Sequence, residues 1–576
     1  MNFKVDDKLT TAASEALADP SAEATGMHAP QGTDSSLVIW LIAAGIILAG
    51  LVFRCMLLDA FFLDFDESMH FQAARESTLA DAWTASQIHT HPPLIFLFYH
   101  FWMKLGDSEL MLRLPALLFS ISALVMGFLW LKQILGPRPA LVGLAFLAFS
   151  MPMIHLGALM RSYTLLLTFI FAALYFQERF LRRHSNWALA GSGCCLALAM
   201  LTHYSSAWLM LVLGLLVALR VVAGTLPRRA VVGWVIVQIS LFGVCAALYF
   251  GHVRHFVKSE TQTAMWDFWL IDSAYNPETT HPLHLAFMRV VEFIKYLSGP
   301  WWILFTGMVL FGAIVLMRKG YRDSGSKWIA LERGLIVLLP MAVAMLLFHF
   351  RIYPVGHTRH SMWLVPFVVA GLAGATLPLL RRTGAMRVTF VVLALSVWVY
   401  SYAYPNVWKL QTTQTPAMAR KAVTVLKETV PAGGLILTDD STRNVLEYYL
   451  VGNTAIHGRP IGGGYTEYEM AGYRVVTIPK FHFYMYNIKE DWANFQKAFG
   501  ENATKPMWVA YLGFEVPANE LKQIFSRFPP GRLIKRVTYL DNQILHAQFR
   551  PPGSKKTAAL PAESDEPVEA IKPETL

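Results

Sequence analysis

Apolar residues in this chain fall in long runs divided by short polar breaks. The runs lie near 37 to 53, 111 to 131, 139 to 156, 163 to 181, 187 to 203, 205 to 222, 231 to 250, 301 to 317, 333 to 349, 361 to 380 and 388 to 403. A helix needs about 20 apolar residues to cross the hydrocarbon core of a bilayer, so the pattern predicts about eleven spanning helices. The breaks carry the topology. Each connection after an even-numbered run is basic: Lys132 and Arg138; Arg179, Arg182 and Arg183; Arg220, Arg228 and Arg229; Arg318, Lys319, Arg322 and Lys327; Arg381, Arg382 and Arg387. Basic loops stay cytoplasmic, which predicts a cytoplasmic N-terminus. The outer loops are then 54 to 110, 157 to 162, 203 to 204, 251 to 300 and 350 to 360, with everything after 404 also outside. Runs 187 to 203 and 205 to 222 form a hairpin turning at His203 and Tyr204, because basic clusters flank the pair.

Past Tyr404 the pattern becomes that of a water-soluble domain. It predicts a helix over Ala417 to Thr429, an apolar strand at Leu435 to Thr438 and a helix over Thr442 to Leu450. A strand at Met507 to Leu512, a helix over Ala518 to Phe528 and strands at Leu533 to Tyr539 and Gln543 to Phe549 follow. The fold class is therefore a polytopic α-helical membrane protein with a C-terminal extracytoplasmic α/β domain. Its regions are a disordered cytoplasmic tail at 1–36, a membrane domain at 37–403, the α/β domain at 404–550 and a disordered tail at 551–576. The polar, acidic start lacks the basic stretch of a cleavable signal peptide.

Composition agrees: 55% of the 576 residues are hydrophobic and only 15% charged, too apolar for soluble domains of this length. The 49 Lys+Arg against 39 Asp+Glu suggest nucleic acid until their positions are considered; they sit between apolar runs and not along one face. Cys55, Cys194, Cys195 and Cys245 form neither a disulfide framework nor a CxxC pair.

Chemistry concentrates in the outer loops. FFLDFDESMHF sets Asp64, Asp66 and Glu67 just after the first span, where carboxylates are costly unless used; Asp66 or Glu67 would serve as a general base. Simple helix capping is the competing reading. The same loop ends in IHTHPPLIF, whose Pro92 and Pro93 open a helix and put His89, Thr90 and His91 at its anion-attracting end. His89 is a candidate ligand for a divalent metal, with an interfacial histidine as the alternative. Arg161 and Tyr163 in LMRSYTLLL interrupt two apolar runs, as a phosphate clamp or as interfacial snorkelling residues. His203 and Tyr204 form another outer turn, and Arg359 and His360 belong to a cationic loop that departs from the positive-inside trend.

These motifs, in order, resemble the GT-C superfamily of membrane glycosyltransferases, near the bacterial relatives of protein O-mannosyltransferase and lipid A aminoarabinose transferase. The resemblance spans roughly residues 37 to 403. Asp66-Glu67, HPPL at 91–94, RLP at 113–115, RSYTLL at 161–166, THY at 202–204 and the loop from Arg359 to Pro366 carry it. It implies an inverting transfer from a polyprenyl-phosphate-sugar donor at the outer face of the plasma (inner) membrane, to a lipid, glycan or protein acceptor, with Asp66 activating the acceptor hydroxyl. It implies no nucleotide cofactor. The chain departs from the aminoarabinose transferases in having Thr90 and His91 where they carry Glu-Lys, which places His91 at the phosphate-contacting position. It also has Arg161 where they have a further carboxylate. A polytopic transporter or flippase is the rival reading; no repeated half with broken helices is visible, and ionisable residues cluster at the rim. A receptor or scaffold anchored by the membrane part is a third reading, and eleven spans exceed what an anchor needs.

Overall fold

The computed structural model of the protein describes residues 33–257, 262, 282–380, 415–512, 524, 526–539, 542–552 and 569–570. The predicted span at 388 to 403, most of the first tail and of the helix predicted over 518–528, and Asp267, Asp272 and His281 lie outside them. Among the described residues, seven helical stretches are long and apolar enough to cross a membrane: Leu37–Leu57, Glu109–Leu135, Tyr163–Arg183, Tyr204–Val222, Arg228–Phe256, Phe287–Ser324 and Lys327–His349. Leu94–Leu105, Pro137–Phe149 and Asn186–Thr202 are shorter apolar helices.

Three predicted boundaries change. The run at 139 to 156 is two helices, Pro137–Phe149 and Met151–Leu156, because Ser150 is extended and Pro152 follows it. The run at 361 to 380 divides into a tight turn at Arg359–Leu364 and helices Val365–Ala375 and Leu377–Leu380, the last break preceding Pro378. The second half of the loop predicted at 251 to 300 is helix Pro282–Ser298, which buries Val290, Phe293, Ile294 and Leu297.

Interruption of a helix frees carbonyls, and a buried arginine takes them up. Arg54 donates to Ala148 O at 2.8 Å, Leu147 O at 3.2 Å, Gly50 O at 2.8 Å and Ser120 Oγ at 2.7 Å. A second buried network joins three other helices. Glu178 accepts from Arg182 at 2.6 Å and from Arg333 at 2.7 and 2.8 Å, while Glu332 accepts from Arg220 at 3.0 Å. Arg220 and Arg182, two of the topology markers, thus also fasten helices to one another, Arg182 through a bond to Gln133 O at 2.5 Å in helix Glu109–Leu135. Glycine allows a close helix approach: a Cβ on Gly312 would lie 1.8 Å from the carbonyl oxygen of Gly371.

The C-terminal unit is an eight-stranded sheet of β1 (Leu435–Thr438), β2 (Arg459–Gly462), β3 (Tyr465–Met470), β4 (Tyr473–Thr477), β5 (Pro506–Tyr511), β6 (Gly531–Tyr539), β7 (Asn542–Phe549) and β8 (Glu569–Ala570), in the order β2-β3-β4-β1-β5-β7-β6-β8. β1 runs parallel to β4 and β5, Leu437 lying opposite Val476 and Val509. Side chains alternate across the sheet, so Ile436, Val475 and Ala510 pack under helix Pro416–Thr429 while Leu437, Val476 and Val509 pack against Phe495 and Phe499 of helix Trp492–Phe499. β8 is ordered against β6 at Val537 and Thr538, within the stretch 551–576 expected to lack structure.

Gly312→Ala forces helix Trp302–Ser324 away from helix Val365–Ala375, which carries Gly371, and is expected to cost about 1–3 kcal/mol, as overpacking does. A thermal-unfolding series in detergent would show a lower midpoint than for Ala substituted at Gly45, where a Cβ meets nothing within 4 Å.

Candidate functional site

The site starts at Asp64. Its backbone is extended and its Oδ1 accepts the Glu67 N–H at 2.7 Å, which launches helix Phe65–Ala74. Successive helical residues point about 100° apart, so Asp66 and Glu67 cannot share a direction. Glu67 turns inward and is fully buried. Arg113 meets it with two bonds, Nε to Oε1 at 3.0 Å and Nη2 to Oε2 at 2.6 Å. Its other N–H groups donate to the carbonyls of Leu58, Phe61 and Phe62 at 2.9, 2.7 and 3.0 Å. All five guanidinium donors are thereby used. Glu67 Oε1 also accepts the Met160 N–H at 2.7 Å, which fixes the turn that presents Arg161. Both Glu67 oxygens are thus engaged and its side chain has no exposure, unlike that of Asp66.

Asp66 remains on the open side, its side chain 29% exposed. Arg161 and Arg359 both ion-pair with its Oδ2, and Arg161 lies 3.6 Å from Asp64. Burial would push the Asp64 carboxyl up, but Arg161, the Glu67 N–H and Arg359 outweigh it and hold it below its ordinary value. Burial also brings Arg161 down to about 9, with Arg359 adding to the shift. The Arg161 Nε has no hydrogen-bond partner. Arg161 and Arg359 thus converge on one oxygen of Asp66, with Asp64 as the second carboxylate of the cluster.

Beside this cluster four predicted residues form a ring contact group. Centroids are 5.4 Å apart for His91 and His203, 5.9 Å for His91 and Tyr163, 5.6 Å for Tyr163 and His203, and 6.2 Å for His203 and His360. His91 Nε2 and Tyr163 Oη are buried without hydrogen-bond partners. His91 sits just before helix Leu94–Trp102, as Pro92 and Pro93 predict. Tyr204 stands apart from the group; its hydroxyl meets His252 Nδ1 at 2.6 Å, and His252 Nε2 meets Ser86 Oγ at 3.1 Å. His203, Tyr204 and His360 reach an apolar cavity of about 480 Å³, whose walls include Trp208, Leu248 and Phe256.

His89 does not join a metal-binding set. Its ring stacks on Phe96 at 5.1 Å, and among the described residues no group of three or more His, Cys, Asp or Glu could hold a metal ion. Sequence reasoning missed the role of Arg113, although a lone arginine inside an apolar helix was its signal, and it missed His70, whose Nδ1 donates to Asp66 O at 2.6 Å.

Residues 90–250 match the protein family described as dolichyl-phosphate-mannose-protein mannosyltransferase. That segment contains His91, Arg161, Tyr163, His203 and Tyr204, and the match bears out the resemblance to membrane glycosyltransferases of the GT-C superfamily. No curated protein matches the chain. Among solved structures, ArnT from Cupriavidus metallidurans bound to undecaprenyl phosphate is 13% identical, with a TM-score of 0.49 over 90% of this chain and 98% of its own. The apo oligosaccharyltransferase of Archaeoglobus fulgidus is 8% identical, with a TM-score of 0.47 over 89% of this chain and 75% of its own. The same enzyme with zinc and sulfate gives 10% identity and a TM-score of 0.43 over 71% of this chain and 61% of its own.

Two outcomes follow from the buried groups. Arg113→Met removes the counter-charge of buried Glu67, leaving it only the Met160 N–H, and is expected to destabilise the protein by about 3–5 kcal/mol, read as a lowered unfolding midpoint in detergent. Burial holds His70 and His203 down at about 4 and His89 at about 3, from an ordinary 6.5. Between those values the unfolded chain binds more protons than the folded one, so their contribution to stability is complete above pH 6.5 and is lost as the pH falls toward 4. Melting at pH 7.5 and pH 5 should show the drop, and His203→Gln should reduce it.

Proposed function

We propose that this protein is an inverting glycosyltransferase that moves a sugar from a polyprenyl-phosphate carrier to an acceptor hydroxyl at the outer face of the plasma (inner) membrane, with Asp66 as general base. The observation that carries this reading is the meeting of one partly exposed carboxylate, Asp66, with two guanidiniums beside an apolar cavity. The parts match the donor's chemistry. Arg161 and Arg359 suit the phosphate, and His91 Nε2 and Tyr163 Oη offer polar atoms that nothing in the protein satisfies. The cavity of about 480 Å³, walled by Trp208, Leu248 and Phe256, suits the first isoprene units. The basic loops favour an outward-facing site and a cytoplasmic N-terminus. The family matched by residues 90–250 is itself described by a lipid-phosphate-linked mannose donor.

In the mechanism, the donor phosphate draws the two arginines away from Asp66. Freed of them, Asp66 becomes basic enough to take the acceptor hydroxyl proton. The acceptor oxygen then bonds to the anomeric carbon as the carbon–oxygen bond to phosphate breaks from the opposite side. The bonding pair leaves on the phosphate, which Arg161 and Arg359 stabilise, and a single displacement inverts the centre. Glu67, held by Arg113, keeps Asp66 and the Arg161 turn in mutual register.

Asp66→Asn is expected to lower transfer at least about a hundredfold, the range lost with a general base. It should also bind undecaprenyl phosphate more tightly, since the competing carboxylate charge is gone, whereas Arg359→Ala should retain less of it. Transfer assays with polyprenyl-phosphate-linked mannose, glucose and aminoarabinose, with native mass spectrometry of retained lipid, check all three. A wild-type transfer rate in Asp66→Asn would end this assignment.

A further inference from the structure

Helix Phe65–Ala74 is held from one side by Arg113 of the membrane domain. Its opposite side meets the C-terminal domain, and there the contacts are unusually polar for a buried interface. The segment involved is helix Asp440–Leu446 with the wider, π-helical turn Glu447–Val451 that continues it. Just ahead of Asp64, the Leu63 N–H donates to Tyr449 Oη at 2.8 Å. At the far end of the helix, Arg443 Nη1 donates to Gln72 Oε1 at 2.9 Å, and Arg75 pairs with Glu447 and donates to Gly452 O at 2.8 Å. Arg443 also pairs with Glu447, and with Asp440 at 2.7 Å. Apolar contacts fill the middle: Tyr448 stands edge-on to Phe71 at 5.0 Å, and Phe62 packs with Ala419 and Val445.

Two guanidiniums and two carboxylates make this a charge-balanced chain, with Glu447 at 1% exposure. Buried ion pairs add little net stability over apolar residues of the same size, because desolvation offsets the attraction. They do fix geometry, since each bond has a direction and a length. A turn of π-helix inside a helix is rare and recurs at functional sites. Here it lets the adjacent Tyr448 and Tyr449 both reach the membrane domain, the first donating to Asp107 O at 3.0 Å.

We propose that Tyr449, Glu447 and Arg443 are positioning residues for the transfer reaction: they clamp the Asp66-bearing helix at both ends, so the C-terminal domain governs turnover and not the affinity for the lipid phosphate. The proposal rests on the reading of Asp66 as general base. The phosphate-facing groups Arg161, His91, Tyr163 and Arg359 belong to the membrane domain and make none of these contacts. Loosening the clamp shifts Asp66 against the acceptor while leaving the lipid site formed.

The test uses the full chain in nanodiscs. Tyr449→Phe deletes one hydroxyl, Glu447→Gln weakens both arginine bonds, and each is compared with wild type and with Asp66→Asn. Four quantities are measured: turnover with the polyprenyl-phosphate-sugar that the wild type uses, the dissociation constant for undecaprenyl phosphate, the unfolding midpoint, and hydrogen exchange of amides 63–74. Misplacing a reacting group by an ångström costs up to about a hundredfold, so a fall in kcat of about tenfold or more is expected, with an unchanged lipid dissociation constant and faster exchange across 63–74. Wild-type kcat in both variants while Asp66→Asn is inactive overturns the clamp and spares the base. Lipid affinity and kcat falling together with the unfolding midpoint also overturns it, since that describes a merely structural contact. Full activity in Asp66→Asn overturns the base itself, and the clamp with it.

Discussion

The bidentate pair between Glu67 and Arg113 is the constraint on which the site depends. A carboxylate and a guanidinium without solvent contact are tolerable only when every remaining donor and lone pair has a partner. Arg113 meets that condition by gathering the carbonyls of Leu58, Phe61 and Phe62, where the chain leaves the first membrane helix. Glu67 meets it by taking the Met160 N–H as well. One pair thus fixes the exit of the first helix, the start of helix Phe65–Ala74 and the turn that carries Arg161. Because Glu67 must point inward, Asp66 is turned toward the open side.

Charge is distributed accordingly. Arg54 and Arg113 spend their donors on carbonyls or a matched carboxylate inside the helix packing, and Glu178 and Glu332 do the same for the arginines around them. Around Asp66 the matching is incomplete. Two guanidiniums face one carboxylate oxygen, and Arg161 Nε, His91 Nε2 and Tyr163 Oη are left without hydrogen bonds. Other buried polar atoms, such as Asn444 Oδ1 and Tyr465 Oη, also lack partners, but those at Asp66 lie beside two guanidiniums, and under the proposed function the donor phosphate is what meets them.

Much of this was legible in the sequence because it is local. Hydrophobic runs report spans directly, and the turn at His203 and Tyr204 follows from the basic clusters flanking two adjacent runs. Run length alone did not reveal the breaks at Ser150 and before Pro378, since a serine and a proline hardly lower the apolar character of their surroundings. Strands β2 to β4 were missed because 459 to 477 mixes glycine with charged and aromatic residues and alternates weakly. From the residues alone Asp66 and Glu67 read as equivalent carboxylates, and only the resemblance favoured Asp66; in the structure what separates them is Arg113, 46 residues away from Glu67. An H-x-H spacing likewise cannot distinguish a metal ligand from a ring stacked on a phenylalanine, and for His89 the structure shows the stack.

The hydrogen bond from Leu63 to Tyr449 joins residues 386 positions apart. During synthesis the first membrane helix and its following loop emerge early, long before residue 449 exists. The segment bearing Asp66 therefore reaches its final hydrogen bonding only after the sheet domain that carries Tyr449 has folded against it. Assembly has an order, and under the proposed function the carboxylate that acts as base is set in place at its end, so an unfinished chain would not meet the lipid donor with a completed site.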